Sequence, residues 1–534
     1  MTTTDIKTMN ADEDYGFDIS GFIHLQQVLT AEEVAACNQA IDGAGQEMPP
    51  LQELLEHPIL QNYVKALCGD AFSLDQPPSL VTGSETNGKE TFSAGDPETN
   101  RRLRYICHGD VRVCNGLRVI VALAPSSAEG GLVLVPASHK RAVPPSPNFL
   151  SGGGDIDMTE QPVLAAGDVL LCAATTISAV RGWPQRLLEI RYISGRVMPT
   201  GGFPEVEAPD WMAELTPGQK AVVGLRTTGR GGKVISDREK IWVADVVEQP
   251  ASVSFNLDEY SMPNPDELWF WDIRGYLVVR GVMDAEWLAA ANAAIDFAAA
   301  NAANLPEGHP SAIEEVPEQA LRENDWEWPE DTSPRLRGDI NRPRIGGLYQ
   351  LPAPHCDPFR RMIAHPAVAQ RLNWMLGYGF REGAEPMCCV YPKGTTGGSL
   401  HGQNPGGYSF VNGRQLVEQV NVAWALHDEV EGFGENSGGF LCVPGSHKAM
   451  YTIPRPLHTS IDLPQVYKPG LKAGDVLFFG AVAHGTTAWR ADWYRHTVIQ
   501  FMGSTNAKVR PAEKTVGWRW STAAENPKNI LEKQ

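Results

Sequence analysis

Four stretches of the chain place a histidine in company suited to chemistry. His484 stands eleven residues before Arg495 in DVLFFGAVAHGTTAWRADWYRHTVIQFM. An imidazole binds transition metals, and the planar fork of an arginine matches a carboxylate with two parallel hydrogen bonds. His401 lies in GGSLHGQNPGGYSF, among glycines that leave a histidine little packing to do. His355-Cys356-Asp357 and His108-Gly109-Asp110 each set a carboxylate two residues after a histidine.

The elements that must position these residues come in two sets. GFDISGFIHLQQVLTAEEVAACNQAID matches WDIRGYLVVRGVMDAEWLAAANAAID, with Gly21 opposite Gly275 and Ile41 opposite Ile295 at an offset of 254. LLEHPILQNYVKALCGDAF matches RMIAHPAVAQRLNWMLGYGF, EGGLVLVPASHK matches SGGFLCVPGSHK, and AAGDVLLCAA matches KAGDVLFFGA. His57 then pairs with His365 and Lys140 with Lys448 at an offset of 308. Several anchors in one order mark two copies of one unit. The step in offset gives the second copy about 54 additional residues, within Phe297 to Pro354. Each copy opens with a short strand and a helix with apolar residues at helical spacing, such as Val34, Cys37, Ala40 and Ile41. A second helix follows the His-Pro pair. Short strands with Gly, Pro and Asn between them come next, LRVIVALAP and VNVAWALHD included, and read as an antiparallel barrel or sandwich.

At 534 residues the chain is beyond the size at which one core keeps growing, so two domains are expected. A net charge of −19 repels a phosphate backbone and an anionic membrane surface alike, which argues against nucleic acid and membrane as partners. No run of 18 apolar residues occurs, and the start, MTTTDIKTMNADEDYG, lacks the features of a secretory signal or transit peptide, so a soluble cytoplasmic protein is expected. Nine cysteines without a C-x-x-C pair are read as reduced, mostly buried thiols.

GYLVVRGVMDAEWLAAANAAI, SGGFLCVPGSHK, AGDVLFFGAVAHGT and the histidine with an arginine eleven residues later resemble the phytanoyl-CoA dioxygenase family of iron(II)/2-oxoglutarate oxygenases. The resemblance covers nearly all of the second copy and, more weakly, the first. It implies a mainly β (α+β) chain of two tandem double-stranded β-helix (jelly-roll, cupin-like) domains with flanking helices. These are 1–200 and 264–534, with a linker at 201–263 and an insertion at 297–354. It also implies two histidines and a carboxylate on one face of iron(II), and an arginine for the far carboxylate of 2-oxoglutarate.

On that basis His484 and His401 are the expected iron ligands and Arg495 the cosubstrate arginine, the three together forming the catalytic set. Trp424 either lines the cosubstrate pocket or is plain core. Gln403 stands in the position of the acidic ligand, so the expected metal set is His401, Gln403 and His484; an amide oxygen binds iron(II) more weakly than a carboxylate. Asp428 or Glu429 is the alternative source of the carboxylate. Asp357 is expected to cap a helix, and His139 and His447 to stabilise turns. In the first copy, matching AVRG to AWRA sets Thr175 opposite His484 and Arg186 opposite Arg495, which implies a copy without metal. In the insertion, Trp326, Trp328 and Tyr349, with Arg335, Arg337, Arg342 and Arg344, suit either a lid over the barrel mouth or packing against the first copy.

The resemblance thus implies a dioxygenase using iron(II), 2-oxoglutarate and dioxygen to hydroxylate a small organic metabolite. A halogenase or desaturase at the same iron is one alternative. The other is an inactive barrel that binds a ligand or partner, a reading that Gln403 keeps open.

Overall fold

The computed structural model describes residues 7–197 and 264–504, apart from 302–327 and several short loop segments. The expected linker at 201–263 and Trp326 lie outside the described residues.

Helix α1 (Ala11–Ser20) begins at Asn10, whose side chain accepts from the Glu13 amide at 2.8 Å while Glu13 accepts from the Asn10 amide at 3.1 Å. This reciprocal cap fixes the start of the helix. It stops at Gly21, φ 81°, where a Cβ would lie 2.4 Å from His139 Nδ1. No other residue fits both the left-handed backbone and the space.

The strands that follow are β1 (Phe22–Leu25), β2 (Ser73–Leu80), β3 (Glu85–Thr86), β4 (Lys89–Glu90), β5 (Tyr105–His108), β6 (Val111–Cys114), β7 (Gly116–Ala122), β8 (Gly131–Leu134), β9 (Val169–Ala173), β10 (Ser178–Arg181) and β11 (Leu187–Ile193). An antiparallel sheet of order β1-β9-β7-β11-β2 packs against the pair β10-β8. Side chains alternate along β7. Ile120 and Ala122 face the small sheet, whereas Val119 and Val121 face helices α2 (Ala31–Gly43) and α3 (Pro58–Cys68).

The second half repeats this order. Helix α4 (Pro265–Arg274), capped by Asn264, ends at Gly275, φ 77°, pressed against His447 as Gly21 is against His139. Its strands are β12 (Tyr276–Val279), β13 (Arg344–Ile345), β14 (Arg381–Tyr391), β15 (Gly398–His401), β16 (Tyr408–Val411), β17 (Arg414–Val417), β18 (Gln419–Ala425), β19 (Gly439–Cys442), β20 (Val476–Phe479), β21 (His484–Thr487) and β22 (Arg495–Gly503). The large sheet runs β12-β20-β18-β22-β14-β13 and the small one β15-β21-β19. Helices α5 (Ala285–Asn301) and α6 (Pro366–Leu376) cover the outer face of the large sheet.

The halves exchange their opening helices. Tyr15 and Ile19 of α1 pack with Leu441, Val443 and Ala483 of the second half. Trp269 and Ile273 of α4 pack with Val133, Val135 and Ile177 of the first. At the crossing, Lys140 Nζ donates to the Lys448 carbonyl at 2.8 Å and Lys448 Nζ to the Lys140 carbonyl at 3.2 Å. Each ammonium also meets the buried aspartate of its own half, Asp18 at 3.1 Å or Asp272 at 2.5 Å. Each carboxylate in turn accepts an amide from the other half, Met450 on Asp18 and Ala142 on Asp272, both at 2.8 Å. Buried charges so paired and bonded are costly to break singly, so the halves are locked together.

The eight described cysteines are free and buried, as expected of reduced thiols. Among the described residues no helix is long and apolar enough to cross a membrane.

Candidate functional site

The antiparallel register of β15 and β21 sets His401 opposite His484, with ring centroids 4.5 Å apart. Each ring is held from behind by a carbonyl two residues upstream. His401 Nδ1 lies 2.7 Å from the Ser399 oxygen and His484 Nδ1 lies 2.9 Å from that of Val482. A carbonyl can only accept, so both protons sit on Nδ1 and both Nε2 atoms keep a lone pair, the tautomer a metal ligand requires. Gly402, φ 78°, allows the close approach, because a Cβ there would lie 2.2 Å from His484 Cε1. Burial, and then the neighbouring His401, push the His484 pKa down to about 4. The Phe479 ring walls the pair at 4.6 Å from His484.

Gln403 does not fill the expected place as a third ligand. Its Oε1 accepts from Tyr15 Oη at 3.0 Å and the Ile453 amide at 2.7 Å, and its Nε2 donates to the carbonyls of Ser446 at 3.0 Å and Tyr451 at 2.9 Å. Both lone pairs and both protons are taken up by the protein. The alternative carboxylates are engaged as well. Asp428 accepts from Lys472 and the Ala473 amide, and Glu429 is paired with Arg495. Among the described residues no third histidine, cysteine or carboxylate joins the pair.

Three residues along β21 from His484, about 10 Å at strand rise, lies a buried charge cluster. Arg495 Nε donates to Glu429 Oε1 at 2.6 Å, and the Phe440 amide donates to Glu429 Oε2 at 3.0 Å. Lys468 Nζ donates to the Gly438 carbonyl at 2.7 Å and lies 3.5 Å from Thr487 Oγ1. Burial lowers the Lys468 pKa to about 8, Arg495 pushing the same way and Glu429 opposing. Two cations around one carboxylate leave a buried positive charge in the second half, a place for an anion.

Strand ladders correct the residue pairing between halves. Ser178 bonds across to Leu134 as His484 does to Cys442, and Ile177 accepts from Val135 as Ala483 does from Val443. Ser178, not Thr175, therefore stands in the place of His484. Leu123 donates to the Arg186 carbonyl as Leu426 does to that of His496, so Arg186 matches His496. Arg186 is on the surface, paired with Asp42. In sequence, Gln185 precedes Arg186 as Arg495 precedes His496, so Gln185 aligns with Arg495; it lies outside the described residues.

The same ladders expose a signal that motif reading passed over. Glu429 corresponds to Ser126, whose amide bonds Leu164 as that of Glu429 bonds Leu471. Lys468 corresponds to Gln161, each following a residue bridged to Leu134 or Cys442. The three charges are thus present where the histidines are and missing where they are not.

Residues 271–497 match the phytanoyl-CoA dioxygenase (PhyH) family. The matched segment contains both histidines and the Arg495 cluster. No curated protein matches the chain. Among solved structures, HygX from Streptomyces hygroscopicus with nickel and 2-oxoglutarate bound is similar at 17% identity and a TM-score of 0.35, over 46% of this chain and 88% of that one. EctD from S. alaskensis with 2-oxoglutarate and 5-hydroxyectoine is similar at 15% identity and a TM-score of 0.34, over 49% and 83%.

Other sequence candidates serve the fold. Trp424 is fully buried on the helix-covered face of the large sheet, its Nε1 donating to Gln500 at 2.7 Å and its ring 5.4 Å from Trp287. Ala423 and Ala425, its neighbours, are the ones that face the small sheet, so Trp424 does not line a pocket between the sheets. His355 stacks on Phe297, and Asp357 is the first residue of a short helix whose N-cap is Cys356. His108 ends β5, and Gly109 and Asp110 are outside the described residues. His139 and His447 reach the carbonyls of Asp18 and Asp272 at 3.0 and 2.9 Å, tying each turn to the end of an opening helix. In the insertion, Trp328 donates to Thr396 at 3.0 Å and packs on the cluster containing Tyr15, and Tyr349 is buried with its hydroxyl donating to Glu382. Arg342 is exposed, Arg337 bonds carbonyls of its own loop, and Arg335 lies over the Phe433 ring. Trp328 thus meets the first half through the cluster that holds Tyr15 and Ile19, whereas Tyr349, Arg335 and Arg337 make their contacts within the second half.

Proposed function

We propose that the second half is an iron(II)/2-oxoglutarate-dependent oxygenase acting on a C–H bond of a small organic metabolite, with dioxygen as the oxidant. The observation that carries this reading is the facing pair of histidines with both Nδ1 protons tied to carbonyls. The match of 271–497 to the PhyH family supports it. His401 and His484 would hold the iron, which supplies the site at which dioxygen and the cosubstrate meet.

Arg495 and Lys468 would bind the far carboxylate of 2-oxoglutarate, a divalent anion drawn to the one unmatched positive charge of the cluster. The aromatic wall of Phe440 and Phe479 would keep water from the histidine face. In the first half Ser178 and Gln185 replace the histidine and the arginine, so it would serve as a metal-free partner built on the same strand order. The chain on this reading is two tandem double-stranded β-helix domains, 1–200 and 264–534.

A second reading rests on Gln403. With its amide taken up elsewhere, the two histidines lack the family's acidic partner, which suits a barrel that binds ligand without turnover, or a halogenase in which a halide takes that position. Metal analysis with a succinate assay separates the readings. Oxygenase or halogenase activity requires iron and succinate formation lost together in His484→Ala and kept in His108→Ala. A wild-type protein that forms no succinate with iron, 2-oxoglutarate and extracts of small metabolites would leave only the binding role.

A further inference from the structure

The first half contains a cavity of about 370 Å³ between its two sheets. Ser178, in the ladder position of His484, is part of its wall. The space that holds the histidine pair in one half is therefore open and without histidines in the other. Its lining has been recast with charge. Arg118, Glu189 and Arg191 border it, and the ladders set them opposite Asn421, Ile499 and Phe501 of the second half.

Arg118 Nε donates to Glu189, and its Nη1 donates to Ser178 Oγ at 2.9 Å. Arg191 donates to the other oxygen of Glu189 at 2.9 Å. Asp75, also on the wall, is held by both Nη atoms of Arg102, at 2.8 and 3.0 Å. The aspartate is neutralised by its own partner, whereas Glu189 carries two guanidiniums. One positive charge is left over in a space whose other walls mix apolar side chains such as Leu117, Leu132 and Val180 with the hydroxyls of Ser79, Ser93 and Thr176. A nearly buried arginine in such a setting favours an anion, and its fork fits a carboxylate. Ser79 and Arg191 are exposed and mark the way in.

We propose that this cavity is a second binding site, independent of metal, for a small hydroxylated organic monocarboxylate. The single unmatched charge selects a monoanion, and the hydroxyls of Ser79, Ser93 and Ser178 suit a ligand bearing hydroxyls of its own. The volume is at the small end of ligand pockets and takes a metabolite, not a polymer.

The test uses the full chain with EDTA present, so that the histidine pair plays no part. Gluconate, glycerate and glucuronate are titrated by calorimetry, with sorbitol as an uncharged control. Saturable binding of at least one carboxylate is expected, with sorbitol weaker by about tenfold or more. Arg118→Lys, which keeps the charge but loses the fork, should weaken binding by about tenfold. Ser79→Trp, at the exposed rim, should abolish it by filling the entrance, and it decides the matter if Arg118→Lys fails to fold by circular dichroism. Absence of binding by all three carboxylates overturns the proposal, as does sorbitol binding equally well or binding that survives Ser79→Trp.

Discussion

The hydroxyl of Tyr15, from the first helix of the chain, donates to Gln403 Oε1 at 3.0 Å, two residues from His401. One half of the molecule thus holds the loop that carries a histidine of the other. The Gln403 amide is the hub, since it also ties the Ser446 and Tyr451 carbonyls and the Ile453 amide. Gln403→Glu keeps the shape and removes both donations, setting a carboxylate against two carbonyl oxygens. A loss of about 3 kcal/mol in urea unfolding is expected, from buried groups left unpaired. Tyr15→Phe should cost about 1 kcal/mol on the same scale. If Gln403→Glu instead tightens metal binding without loss of stability, the residue is a ligand after all.

Glu429 competes with any incoming carboxylate for Arg495. In Glu429→Gln the single amide oxygen keeps only one of the two donors, Arg495 or the Phe440 amide, which bond different oxygens of the carboxylate, and the negative charge is gone. Affinity for 2-oxoglutarate should rise by about tenfold, equivalent to about 1.4 kcal/mol, while stability falls because a buried guanidinium loses its counter-charge. Titration of the iron-loaded protein with 2-oxoglutarate gives the first quantity and urea unfolding the second. Weaker cosubstrate binding would mean that Glu429 orients Arg495 and does not compete with its ligand.

Part of this site is legible through the family resemblance, which singles out His484, His401 and Arg495, and the structure brings the two imidazoles face to face. The errors were of register. Counted between ladder-matched residues, Leu171 to Ser178 is one residue longer than Phe478 to His484, and Arg181 to Leu187 is four residues shorter than Thr487 to Thr497. An ungapped match of AVRG to AWRA cannot register such changes, so Thr175 and Arg186 were set where Ser178 and Gln185 belong. Trp424 was ambiguous because period 2 says that neighbours face opposite ways but not which face is inner. The role of Gln403 depends on Tyr15, Ile453 and Tyr451, distant in sequence, and no local pattern shows that contact.

Trp424 and Trp328 are expected to act on stability alone. Trp424→Phe removes the bond to Gln500 and part of the packing on Trp287, and should cost about 1 to 2 kcal/mol. Trp328→Ala, which loses a half-buried ring and its bond to Thr396, should cost about 2 kcal/mol. Neither change should alter 2-oxoglutarate binding by calorimetry. A selective loss of substrate or cosubstrate affinity in Trp328→Ala, with melting temperature kept, would restore the lid reading of the insertion.

Acid should weaken the fold in a window to which two buried histidines far from the proposed metal face contribute. His447, buried beside Lys448 and bonded to the Asp272 carbonyl, is pushed down to about 3 by burial and then by that lysine. His496, with Nδ1 2.8 Å from Asn292 Oδ1, is lowered to about 3 by burial and then by His427. In the unfolded chain both titrate near 6.5. Above that pH neither state binds the protons and the histidines do not affect stability. As pH falls below 6.5 the unfolded chain takes up protons that the folded one refuses, so stability falls progressively until about pH 3. Each such group contributes a slope approaching about 1.4 kcal/mol per pH unit, and His484, lowered to about 4, and the buried His139, also lowered, add to it. Urea unfolding at pH 7, 6 and 5 measures it, in a range where most carboxylates are still ionised in both states. His447→Asn should lower the slope between pH 6 and 5 by roughly 1.4 kcal/mol per pH unit. An unchanged slope in that variant would show that His447 is not held neutral at the crossing of the two halves.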